Sequence, residues 1–155
     1  MTIEHLDELE GLKRAGALVA RILSTMRAQA LAGTTPRDLD AIGADMLRDA
    51  GAQSAPVLTY GFPAATCISV NRVVAHGIPD ATPLRDGDLV NIDVSAELDG
   101  FFADTGASFV VGTASAAQQR LLDATREARD AAIAVLIAET GGQNALDRKS
   151  TRLNS

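Results

Sequence analysis

The chain has 155 residues, of which 46% are hydrophobic and 22% charged, an ordinary globular composition long enough for one domain with a real core. Its net charge of -6 argues against a nucleic-acid-binding surface, which needs clustered Lys and Arg. The longest purely apolar stretch, residues 131–138, is too short to cross a bilayer, and the acidic start MTIEHLDELE is no signal peptide. With a single cysteine, Cys67, no internal disulfide forms, and these features together favour a reducing cytoplasm.

Over residues 6–31, Leu9, Leu12, Ala15, Val19, Ile22, Leu23, Met26 and Ala30 recur at helical spacing, and Gly33 follows as a stop. In TTPRDLDAIGADMLRDAG, Thr35 is placed to cap a second helix with Pro36 in its first turn. Leu39, Ile42, Met46 and Leu47 form its apolar side, and Gly51 ends it. Strand signals begin near Pro56: PVLTY and TCISV are short and rich in β-branched residues, with the loop GFPAA between them. NRVVAHGIPDATPLRDGD reads as a strand fragment followed by a turn-rich loop holding His76. LVNIDVSAEL and FFADTGASFVV then form two strands joined at Asp99-Gly100, a type I′ hairpin signal. Ser115 and Gln118 form a capping box that opens a long helix to about residue 140, where Gly141-Gly142 stops it. Helices, strands and a helix without a repeating βα unit predict an α+β fold, an antiparallel sheet backed by helices. No internal repeat or interdomain linker is visible.

A two-residue turn at Asp99-Gly100 puts Asp93 opposite Gly106 and Ser95 opposite Asp104. Asp93 and Asp104 then share one face as diagonal neighbours, roughly 7–8 Å apart at Cα. Two carboxylates leaning inward from that spacing suit a pair of hydrolytic cations about 3.5–4 Å apart. The cation charge would also relieve the cost of burying them. Solvation on an open sheet face, pairing with Arg72 or Arg85, or a general acid/base dyad are alternatives the geometry leaves open. His76, in VVAHGIPD, is a loop residue able to donate a hydrogen bond to a peptide. Cys67 in TCISVN reads as a small buried hydrophobe. DGDLVNID lacks the acidic alternation and terminal glutamate of a calcium loop, and no phosphate-binding loop, dinucleotide fingerprint or zinc cysteine cluster is present.

Taken in order, SVNRVVAHGIPD and LRDGDLVNIDVSAELDGFFADTGASFVVG resemble the type I methionine aminopeptidases, and the resemblance extends back through YGFPAATC. It implies the first half of the pita-bread (creatinase/aminopeptidase) fold. It also implies a cytoplasmic metalloenzyme that removes the initiator Met from peptides and nascent proteins, with the ribosome a possible partner and neither nucleic acid nor membrane bound directly. By the same resemblance Asp93 and Asp104 are bridging ligands of two divalent ions (cobalt, manganese, iron or zinc), whose shared water attacks the scissile carbonyl. His76 contacts the scissile peptide as a catalytic residue. Phe62 and Cys67, with Tyr60 beside them, form the pocket for the methionine side chain.

The family's remaining ligands, a histidine and two glutamates (one of them the general base), belong to a second half to which no residue of this chain is assigned. The resemblance therefore makes residues 1–146 the N-terminal part of a catalytic domain, inactive by itself. The tail DRKSTRLNS, residues 147–155, carries three cations and no apolar face. One codon choice for it resembles a common short-read sequencing adaptor, so it is expected to be disordered read-through. Other readings are a proline-specific or creatinase-like peptidase of the same fold, or a non-catalytic binding homologue.

Overall fold

Apolar residues at helical spacing give the first helix, α1, Leu6–Gln29, in the computed structural model, which describes residues 3–139. Its buried stripe, Leu18, Val19, Ile22 and Met26, runs along one side. The second helix, α2, Pro36–Asp49, begins as its sequence predicts. Thr35 Oγ1 accepts from Asp38 N–H at 3.1 Å, Asp38 Oδ2 accepts from Thr35 N–H at 3.1 Å, and Pro36 sits in the first turn. Leu39 and Leu47 of α2 bury against the α1 stripe in one core.

A two-residue strand, β1, Gln53–Ser54, precedes a short helix, α3, Ala55–Tyr60. PVLTY is therefore helical, against the β-branched signal. Ser54 accepts from Val57 N–H at 3.5 Å, Pro56 fits the first turn where no N–H is needed, and Gly61 closes the turn at φ +68°. The capping residues overrule the local propensity. TCISV gives β2, Cys67–Val70, as expected. The strand fragment expected in NRVV is absent, because Asn71 turns left-handed at φ +54° and ends β2, leaving Val74 95% exposed in a loop.

β3, Leu89–Leu98, and β4, Phe101–Val110, pair antiparallel along their whole length in the expected register, Asp93 opposite Gly106 and Ser95 opposite Asp104. The turn residues Asp99 and Gly100 both have positive φ, 53° and 86°, as a type I′ turn requires. β1 and β2 lie end to end along the other edge of β3: β1 pairs Glu97 and Ala96, and β2 pairs Asp93 to Val90. Val90, Ile92, Val94 and Ala96 are fully buried in the core shared with α1. At Gly11 of α1 an added Cβ would overlap the Phe101 ring, so glycine here permits helix and hairpin to approach closely. The last helix, α4, Ala116–Glu139, opens with the predicted capping box, Ser115 N–H donating to Gln118 Oε1 at 2.9 Å and Gln118 N–H to Ser115 Oγ at 3.3 Å. Its predicted stop at Gly141-Gly142 and the tail 147–155 lie outside the described residues. The observed architecture is the predicted α+β one.

Candidate metal-binding site

Strand alternation decides which side chains of β3 meet the core. Val90, Ile92, Val94 and Ala96 take the inner face, so Asn91, Asp93, Ser95 and Glu97 take the other. Register then adds Phe102, Asp104, Gly106 and Ser108 of β4, and Cys67 of β2, to that second face. Asp93 is flanked by Cys67 on one side and the side-chain-free Gly106 on the other.

Asp93 Oδ1 is buried and has no hydrogen-bond partner among the described residues. Burial first, then a hydrogen bond shared with the Asp104 carboxyl and that group's like charge, push the Asp93 carboxyl up to about 6, against a lowering by His76. Two carboxyls in contact, one with an orphaned oxygen, form an electrostatic arrangement that a cation would relieve. Among the described residues no arginine pairs with either aspartate, and Arg72 and Arg85 form no ion pair with them. The residues fit a divalent cation as part of a ligand set. Among the described residues no group of three or more His, Cys, Asp or Glu gathers to complete one.

The other predicted site residues reach the pair in different ways. Cys67 is buried, and its thiol is pushed up by burial first and then by Asp93, Asp104 and Asp40. His76 is exposed and left-handed at φ +52°, near enough for its charge to act on Asp93. Tyr60, 63% exposed, lines a cavity of about 320 Å³ together with Pro56, Thr59, Ser95, Phe102 and Asp104. Its hydroxyl is pushed up by partial loss of solvent, then by Cys67, Asp93 and Asp104. Phe62 meets Tyr60 edge-on with ring centroids 6.2 Å apart, and neither Phe62 nor Cys67 lines that cavity.

Several supporting residues carry no sequence signal of their own. Ile68 N–H donates to Gly77 O at 2.9 Å and Gly77 N–H to Ser69 Oγ at 3.1 Å, which ties the His76 loop to β2. Asp40 of α2 accepts from Thr66 N–H and Thr66 Oγ1, both at 2.7 Å, fixing the entry to β2 one residue before Cys67. Ser95 Oγ donates to Asp104 Oδ1. These contacts join separate loops and elements; only the hairpin register, which places Ser95 opposite Asp104, announces the last of them.

Comparison with known proteins agrees with the motif resemblance. The pattern of metallopeptidase family M24 matches residues 10–147. The chain is 52% identical over 113 residues to methionine aminopeptidase 2 of Bacillus subtilis, covering 72% of this chain and 45% of that protein. A methionine aminopeptidase crystal structure from Rickettsia prowazekii superposes with a TM-score of 0.77 at 34% identity, over 83% of this chain and 52% of that one. A prolidase from Pyrococcus horikoshii shares the fold, with a TM-score of 0.72 at 20% identity over 84% of this chain and 36% of that one. The chain thus spans about half the length of the methionine aminopeptidases it matches. With the pita-bread neighbours, the ordered motifs and a family match over most of its length, the chain belongs to metallopeptidase family M24.

Proposed function

We propose that this chain is the N-terminal portion, residues 1–146, of an aminopeptidase that removes the initiator methionine from peptides and nascent proteins in the cytoplasm. The observation that carries the reading is the buried, partnerless Asp93 Oδ1 in contact with Asp104. It stands in a chain 52% identical to a methionine aminopeptidase over 113 residues. Asp93 and Asp104 would hold two divalent ions, which cobalt, manganese, iron and zinc all suit. When bound, those ions would supply Lewis-acid activation of water for attack on a peptide carbonyl.

The chain's own residues do the rest. His76, on its pinned loop, donates a hydrogen bond to the substrate peptide and steadies the charge that develops there. Tyr60, at its cavity, with Phe62 edge-on beside it and Cys67 beneath the same face, would supply apolar contacts to an unbranched thioether side chain. The two aspartates leave most coordination positions to water, so the 155-residue chain binds metal weakly and is inactive alone. The tail 147–155 is proposed as adaptor read-through.

The test uses a Met-Ala-Ser peptide with a divalent ion. The gene product read past the Leu146 codon should release methionine and lose this activity with EDTA, while the 155-residue chain releases none. A longer product without activity contradicts the enzyme reading. Metal-dependent release by the short chain contradicts its inactivity.

A further inference from the structure

Asp104 is exposed on β4, and nothing about a strand position fixes the torsions of an exposed aspartate. Whether its carboxyl converges on Asp93 or swings into solvent decides whether the pair can hold a cation together. Two neighbours act on the Asp104 side chain: the Asp93 carboxyl, through its charge, and the Ser95 hydroxyl, through a hydrogen bond. The first repels when both groups are ionised. Ser95 is the neutral one, and it donates to Asp104 Oδ1.

The place of Ser95 in the sheet sets this up. It lies directly opposite Asp104 in the β3–β4 register, so the two side chains leave the same face side by side. On the other edge of β3, β1 stops pairing at Ala96 and β2 starts at Asp93, so the ladder skips Val94 and Ser95. The chain between those two short strands detours through α3, and the cavity of about 320 Å³ lined by Ser95, Asp104, Thr59 and Tyr60 opens there. Thr59 Oγ1 is already committed to Ala55 O at 2.7 Å. Among these cavity-lining groups, the Ser95 hydroxyl is the donor the structure shows on Asp104.

We infer that Ser95 is a positioning residue for the cation site. Its hydroxyl donates to Oδ1 of Asp104 and holds the carboxylate toward Asp93, with lone pairs on both oxygens still open to cations. The inference rests on the reading of Asp93 and Asp104 as cation ligands. A hydroxyl that orients a ligating carboxylate acts as outer-shell support, whose loss characteristically costs about tenfold or more in metal affinity.

The experiment titrates the 155-residue chain with Mn(II) at millimolar concentration, reading free Mn(II) by electron paramagnetic resonance, and measures the Asp104 χ1 couplings by NMR without metal. Ser95→Ala should weaken Mn(II) binding about tenfold and average the χ1 couplings, while Ser95→Thr, which keeps the donor, stays within about threefold of the parent. Asp104→Asn is the control for the underlying reading. If Ser95→Ala binds like the parent while Asp104→Asn loses binding, the positioning role is wrong and the aspartate pair stands. If Ser95→Thr is as weak as Ser95→Ala, small size and not the hydroxyl matters, and the inference fails. If the parent binds no better than Asp104→Asn, the inference falls together with the reading beneath it.

Discussion

At the scale of single residues, the chemistry of this face comes from period-two alternation applied to two strands. NIDVSAEL and FFADTGAS each put an aspartate among apolar neighbours, and the Asp-Gly turn fixes which residues face each other. The contact between Asp93 and Asp104 was legible for that reason. The Asp93 carboxyl titrates near 6 in the folded chain and near 4 when unfolded. Between those values the unfolded chain loses its proton first. Asp93 therefore contributes stability that is complete below about pH 4 and is lost as pH rises through 6, a loss of about 1 kcal/mol once its partial exposure is allowed for. Urea unfolding of the EDTA-treated chain should show the parent gaining less stability than Asp93→Asn between pH 4 and 7; identical pH profiles would contradict this. Cys67, buried with its thiol pushed up, should react with iodoacetamide at pH 7.5 at least about tenfold more slowly in the folded chain than in urea. Equal rates would place it on the surface.

At the scale of elements, the sequence marks its helices and hairpin clearly and its short pieces poorly. The two long strands and α1, α2 and α4 carry a full period, and α2 and α4 also carry their own capping boxes. α3 has six residues, too few for periodicity to outweigh Val57 and Thr59, so its Ser54 and Pro56 start signal was the better guide. β1 has two residues and no pattern at all. The His76 loop is the third case. Its shape depends on backbone bonds to β2 that no local signal announces, and Gly77 is the point of closest approach, where an added Cβ would run into the Ile68 carbonyl. Gly77→Ala should therefore destabilise the chain by about 2 kcal/mol and displace His76, read as a urea midpoint shift with changed amide signals over 75–78. A midpoint unchanged within about 0.5 kcal/mol would mean the loop gives way freely.

At the scale of the whole molecule, one side of the sheet is finished and another part of the surface is not. α1 and α2 cover the core face of β3, whereas Leu121, Ile133 and Val135 of α4 are 56%, 46% and 59% exposed, with Leu136 and Ile137 also at the surface. Large exposed apolar patches favour association, so sedimentation velocity should show the purified chain self-associating as concentration rises; a single monomeric boundary at all concentrations would contradict this. Family membership was legible in the ordered motifs around His76, Asp93 and Asp104. Further ligands for the proposed site were not legible, and the chain spans about half the length of the proteins it resembles. The proposal that Asp93 and Asp104 together hold a cation has a direct test, Mn(II)-induced broadening of the aspartate side-chain carboxyl signals in a 13C-labelled chain. The Asp93 and Asp104 signals should broaden first and together, at Mn(II) concentrations that leave surface carboxylates such as Asp45, Asp49 and Asp123 sharp. Broadening of all these groups at the same concentration would show that the pair has no special affinity for a divalent ion, and the account of this face as a metal site would be wrong.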